Sequence, residues 1–203
     1  MCLIDVGNAM RIITGKARNK KIITLEGEDV RPTTQRAKEG IFSAIQFKIP
    51  GSKVLDLFSG SGQMGLESLS RGARQACFVD INNDSIAVIK KNISNTGLNA
   101  GSRVIKDDVF HFLAGNSIMF DIIFIDPPYY KNLALKAVKK ASKSLAEEGI
   151  LVVETGKGEE LPEEIGNMVL KKKYQYGNVL FWKYIHEYKS NEEEDNADDD
   201  IPG

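Results

Sequence analysis

Only two cysteines, Cys2 and Cys77, occur in the 203-residue chain, and their isolation excludes both a disulfide framework and a cysteine metal site. The two histidines, His111 and His186, are equally isolated and read as surface or packing residues. No stretch approaches 18 consecutive apolar residues, so no membrane span is expected. The N-terminus lacks a basic segment followed by an apolar one, so no secretory signal is expected, and a reducing, cytoplasmic setting follows. Residues 190–203 contain no Lys or Arg but seven acids (Glu192, Glu193, Glu194, Asp195, Asp198, Asp199, Asp200), and residues 1–9 contain Asp5 alone. The formal net charge of −1 therefore conceals a basic body: residues 10–189 hold all 27 bases against 20 of the 28 acids. Such a body with an acidic tail suggests a polyanionic partner, although an ordinary solvated surface would look the same by charge alone. The length fits one domain with a full core.

The most informative residues are Asp126-Pro127-Pro128-Tyr129, which follow an apolar run, Phe120–Ile125, that reads as a buried strand. Proline fixes its own φ and biases the residue before it toward extended backbone. The carbonyls of Asp126 and Pro127 are thereby kept out of a helix and available as acceptors. A planar, amino-bearing base fits such a clamp, with acceptors on its NH2 group and the Tyr129 ring on its face. The plainer reading is a strand-ending turn with a core tyrosine.

Along the chain, residues 1–9 are expected to form a flexible extension and 188–203 an acidic disordered tail. Residues 10–50 read as an N-terminal hairpin and helix: strands at Arg11–Thr14 and Lys20–Leu25 around a basic turn, then a helix capped by Thr33 or Thr34 with Ala37, Ile41, Ala44 and Ile45 at helical spacing. Residues 51–187 read as alternating strands and helices. Strands are expected at Val54–Phe58, Ala76–Asp80, Arg103–Lys106, 120–125 and Ile150–Glu154, with two more near 167–173 and 178–185. Helices are expected at 63–71, from a cap at Asp84, at 109–114, and at about 132–146 with a lysine-rich outer face and Gly149 as terminator. This pattern predicts an α/β fold: a doubly wound, mainly parallel, seven-stranded sheet. Ligands in such sheets sit beyond the carboxyl ends of the strands where strand order reverses, between the first and fourth strands. That rule brings the glycine loop after strand one beside Asp126–Tyr129.

Gly60-Ser61-Gly62-Gln63-Met64-Gly65 satisfies the dinucleotide pattern G-x-G-x-x-G, and Asp80 lies twenty residues beyond Gly60, where a ribose-binding acid belongs. Asp56, however, precedes the loop, and a carboxylate there would repel a pyrophosphate while suiting the cationic methionine part of S-adenosylmethionine. Asp108 and Val109 supply an acceptor for an adenine amino group and an N–H for its ring. A nicotinamide oxidoreductase is disfavoured on these grounds.

Taken together, these segments resemble class I S-adenosylmethionine-dependent methyltransferases, and specifically the RsmD-like family that methylates the 2-amino group of guanine in small-subunit (16S) ribosomal RNA. The resemblance covers residues 10 to about 185. It rests on Met10–Arg18, on Arg31-Pro32-Thr33-Thr34-Gln35-Arg36-Ala37-Lys38-Glu39, on Leu55–Gly62, on Gly65-Leu66-Glu67, on Ser70-Arg71-Gly72-Ala73, and on Asp126–Tyr129. It implies a Rossmann-like methyltransferase sheet with S-adenosylmethionine as cofactor. Asp56, Phe58, Ser59, Gly60, Ser61 and Gly62 would hold the methionine portion, Asp80 with Ile81 the ribose side, and Asp108 with Val109 the adenine. Asp126, Pro127, Pro128 and Tyr129 would hold the target base. Asp80 departs from the family, which more often has glutamate, but keeps the charge.

Catalysis would then be mainly alignment, and a paired base could not reach the clamp, so the target should be unpaired or flipped out. Between residues 11 and 38 eight bases face three acids. The hairpin is therefore expected to grip RNA through Arg11, Lys16, Arg18, Lys20, Lys21, Arg31 and Arg36; a merely soluble hairpin is the plainer reading. Expected partners are ribosomal RNA or the assembling small subunit, with the chain acting as a monomer, without a membrane and without a metal. Rival readings are an amino-group methyltransferase acting on DNA adenine or protein, and a non-catalytic RNA-binding assembly protein.

Overall fold

The computed structural model describes residues 10–25 and 35–187. Arg31, the expected cap at Thr33 or Thr34, the 1–9 extension and the tail from 188 lie outside the described residues. Five parallel strands form the core of one sheet: β1 (Lys53–Leu57), β2 (Gln75–Asp80), β3 (Ser102–Lys106), β4 (Phe120–Ile125) and β5 (Leu145–Gly156). An antiparallel extension follows, β6 (Glu164–Ile165), β7 (Met168–Tyr176) and β8 (Val179–His186), giving the order β3-β2-β1-β4-β5-β8-β7-β6. The sheet has eight strands where seven were expected, the addition being the two-residue β6.

Helices α1 (Gln35–Ala44), α2 (Gln63–Ser70) and α3 (Asn83–Thr96) cover one face, together with the N-terminal hairpin. Helices α4 (Val109–Gly115) and α5 (Leu133–Ala141) cover the other. The two-residue alternation of a strand sets the division. Val54, Phe78, Ile122, Phe124 and Val152 point toward the hairpin side, and Leu55, Leu57, Val79, Ile123, Ile125 and Val153 toward α4 and α5.

Three local expectations need correction. The hairpin has no extended strands, only a bridge between Arg11 and Lys21 and a turn over Gly15–Asn19. The reason is that its backbone donors turn aside to α2: Ile13 N–H and Thr14 N–H donate to the two oxygens of the buried Glu67 carboxylate at 2.8 and 3.1 Å. Helix α3 is capped by Asn82, whose Oδ1 accepts from the Asp84 N–H, rather than by Asp84. Helix α5 ends at Ala141 and not near 146, because after a 3-10 turn at Ser142–Ser144 the buried Leu145 already pairs with Phe120, leaving Gly149 inside β5.

Candidate active site

Backbone pairing alone brings the two distant motifs together. Leu57 lies opposite Ile125 in the sheet, and the Asp126 N–H donates to the Leu57 carbonyl. The glycine loop after β1 and Asp126–Tyr129 after β4 therefore open on the same edge, at the point where strand order reverses. The loop is left-handed at three successive turns of the chain, with φ of +57° at Phe58, +51° at Gly60 and +78° at Gly62. Only glycine holds such a backbone without strain, and at Gly60 the space a Cβ would enter is open, as a loop approached by a ligand requires.

Asp80 pins this loop. Its Oδ2 accepts from the Gly60 N–H and its Oδ1 from the Asn82 N–H, both at 2.8 Å. Each carboxylate oxygen has a second lone pair, so the acid can still accept from a ribose diol. Ile81 beside it is 63% exposed, an apolar surface of the kind a purine covers. Asp108 caps α4 through Oδ1, accepting from the Phe110 and His111 N–H groups, and Val109 is buried behind it. Ser59 and Ser61 are also buried: the Ser59 hydroxyl donates to the Asp56 carbonyl, and the Ser61 carbonyl accepts from Asn92.

Asp56 is only 2% exposed and lies under the loop, not along its rim. Its neighbours across the sheet are Phe78 and Phe124, and its Oδ2 accepts from the Gly65 N–H, in the first turn of α2, at 2.9 Å. Burial pushes its pKa up to about 7, against a lowering from the Gly65 hydrogen bond and a further rise from Asp80. The acids suit a cationic ligand: Asp80 lies beside the loop and Asp56 beneath it, and among the described residues no Lys or Arg side chain hydrogen-bonds either. Among the described residues no His, Cys, Asp or Glu cluster could hold a metal ion.

The Asp126–Tyr129 side of the crevice contains residues that the sequence reading missed. The Tyr129 hydroxyl donates to Glu154, a carboxylate 3% exposed at the end of β5. Asp126 keeps part of its surface at the crevice, yet burial of its carboxyl, with Glu154 and Asp56 adding like charge, pushes its pKa well above the ordinary value. Lys38, counted above among the hairpin-region bases, is in fact 1% exposed. Its ammonium donates to Gln63 Oε1 at 2.9 Å and to the Met10 sulfur. Desolvation lowers its pKa to about 8 despite the attraction of Glu67 and Glu154. Glu154 carried a signal in the sequence: it closes the apolar run Ile150–Val153 as Asp126 closes Phe120–Ile125. Nothing in the local pattern marked Lys38.

Tyr130 also joins the site, edge-to-face on Tyr129 with ring centroids 6.1 Å apart. Both rings rest over Gly156, where a Cβ would come within 2.7 Å of the Tyr130 hydroxyl and 3.0 Å of Tyr129 Cδ2. The Tyr176-Gly177-Asn178 segment is the tight turn between β7 and β8, on this same edge, where the Asn178 carbonyl accepts from the Lys157 N–H. The proposed RNA grip is more spread out. Arg11, Lys16, Arg18, Lys20, Lys21 and Arg36 are all exposed. The tip at Lys16 is bonded to the Ser70 carbonyl at the far end of α2, about 12 Å of helix away from the glycine loop.

An open sheet with a glycine-loop crevice at its switch point and an antiparallel extension at one end is the architecture of S-adenosylmethionine-dependent methyltransferases. The family model described as Conserved hypothetical protein 95 matches residues 10–185. Ribosomal RNA small subunit methyltransferase D of Haemophilus influenzae is 34% identical over 182 residues, 86% of this chain and 93% of that one. The Escherichia coli K12 protein of the same name is 31% identical over 189 residues, 92% and 94% of the two chains. Among solved structures, yhhF of Escherichia coli superposes with a TM-score of 0.79 at 31% identity, covering 89% of this chain and 99% of the other. A hypothetical protein of Thermus thermophilus superposes at 0.75 and 28% identity, covering 88% and 99%. The chain belongs to this family, the RsmD family.

Proposed function

We propose that the chain methylates the 2-amino group of an unpaired guanine in small-subunit ribosomal RNA, in the cytoplasm where subunits assemble. S-adenosylmethionine supplies the electrophilic methyl group. The observation that carries the reading is the meeting of Asp126–Tyr129 with the glycine loop on one sheet edge, with Tyr129 tethered to the buried Glu154.

The exocyclic amine is a weak nucleophile because its lone pair is delocalised into the ring. The Asp126 carboxyl and the Pro127 carbonyl accept its N–H bonds and fix its orientation, while Tyr129 covers the face of the base. Pro128 is exposed and holds the turn rigid. Asp126 acts as an acceptor and not as a base, since methylation itself makes the nitrogen acidic and its proton leaves to solvent. Alignment of reacting groups is worth roughly 7–11 kcal/mol when they are held near contact, and aromatic stacking adds ~1–3 kcal/mol of base binding. On the cofactor side, Asp80 and Ile81 hold the ribose and purine, Asp108 and Val109 the adenine edge, and Asp56 with the Phe58–Gly62 loop the cationic portion.

Mass-spectrometric mapping of ribosomal RNA from cells lacking the protein tests the reading. Loss of one N2-methylguanine from the small-subunit RNA is expected, restored by the wild type and not by Asp126→Ala. An intact guanine with a missing methyladenine, or a protein methyl mark lost instead, would replace it. The Asp126→Ala variant should bind S-adenosylmethionine as the wild type does while turnover falls by orders of magnitude.

A further inference from the structure

We infer that the lysine face of α5, headed by the exposed ring of Tyr130, is a second contact surface for the RNA, on the side of the sheet away from the hairpin. This rests on the reading that RNA is the substrate. Residues 131–144 contain five lysines, Lys131, Lys136, Lys139, Lys140 and Lys143, and no acid. At 100° per residue Lys136, Lys139 and Lys140 fall within one arc of about 100°, and Lys143 follows in the 3-10 turn that continues the helix. They line, with Asn132 and Leu135, a surface groove of about 410 Å³. All four are exposed, and among the described residues none of the five takes part in a salt bridge.

A run of like charges without counter-charges repels itself, and a polyanion relieves that repulsion. The groove also starts at the active site. From Asn132 to Lys143 it extends about 16 Å along the helix axis, and its upper end is joined to Tyr129 through Tyr130 and Lys131. Tyr130 is 62% exposed, yet it is held: its hydroxyl donates to the Lys157 carbonyl at 3.2 Å and its N–H to Glu159. Its φ of +60° and that of Asn132, +54°, are left-handed backbone at non-glycine residues, a strain found where function requires it. An anchored ring in solvent beside the target-base platform suits stacking on a neighbouring nucleotide, with the lysines below it meeting phosphates. Lys136 is partly engaged, 4.1 Å above the Phe110 ring, so Lys139, Lys140 and Lys143 carry most of the charge offered. Hairpin and α5 lie on opposite faces of the sheet, and the Met10 end of the hairpin reaches Gln63 beside the glycine loop through Lys38, so an RNA presenting its guanine to Tyr129 is met on both faces.

The test uses the full chain with Lys139→Gln/Lys140→Gln and, separately, Tyr130→Ala. Binding to protein-free small-subunit ribosomal RNA is measured over a range of KCl, and S-adenosylmethionine binding by calorimetry. Two lost phosphate contacts should lower the slope of log K against log salt by about 1.5 and weaken binding about 10–30-fold at ~0.1 M salt. Tyr130→Ala should weaken binding with the slope unchanged, and neither variant should alter cofactor affinity. An unchanged slope in the lysine variant, or a defect seen only on assembled particles, would overturn the inference, the latter assigning the face to a ribosomal protein. A wild type that binds this RNA no better than an unrelated polyanion would sink the RNA-substrate reading itself, and this inference with it.

Discussion

Replacing Asp56 by Asn removes a carboxyl that the fold keeps from ionising, and the consequence can be worked out. In the unfolded chain Asp56 loses its proton above its ordinary value of 3.8, but in the folded protein only above about 7. Between these values the folded state binds the extra proton, so stability falls as pH rises, by about 1.36 kcal/mol per pH unit for this one group, and is level again above about 7. Asn is never charged and keeps an oxygen to accept from the Gly65 N–H. The stability advantage of Asp56→Asn over the wild type should therefore grow by about 2 kcal/mol between about pH 5.5 and about pH 8.5. Urea unfolding of the cofactor-free proteins at the two pH values measures this, because the other titrating groups are common to both and the Asp56 charge is the smallest of the causes that raise the Asp126 pKa. An advantage that stays constant with pH, or shrinks, would mean that Asp56 is already ionised in its bed of phenylalanines. Saturating S-adenosylmethionine should reduce the advantage, since its cationic part favours the wild-type carboxylate.

Glu154→Gln keeps an acceptor for the Tyr129 hydroxyl but removes a charge that, after burial itself, raises the Asp126 pKa. The acidic limb of the kcat/KM profile should move to lower pH; a limb that stays in place or moves upward would separate Asp126 from the rate. Gly156→Ala places a methyl group against Tyr130 and Tyr129 without straining the backbone. Turnover should fall at least about tenfold, roughly 1.4 kcal/mol, with cofactor affinity retained, and equal losses in both would show that the two rings do not belong to the target-base side.

The sheet and the meeting of its two motifs were legible because short continuous apolar runs and glycine turns are local signals, and the switch-point rule converts them into a shared edge. Legibility failed where a residue's role is set by something distant in sequence. Glu67 stands in a segment of the family resemblance, but its tie to the hairpin shows only when the Ile13 and Thr14 donors reach it from over fifty residues away. Lys38 looked like surface charge, and its burial depends on Gln63 and Met10 arriving from two other segments. Asp56 was recognised as part of the site, but its position under the loop follows from strand parity, which places it between Phe78 and Phe124. The end of α5 was misread because Leu145 continues the apolar stripe of a helix and also begins a strand.

The sharing of Glu67 bears on whether the N-terminal hairpin can be separated from the sheet domain. With its oxygens occupied by two hairpin amides and by the Arg71 guanidinium, this carboxylate is a three-way socket built across an apparent module boundary. Removing the hairpin would take away two of the three donors and leave the buried acid to Arg71. Hairpin and α2 therefore stand or fall as one joint.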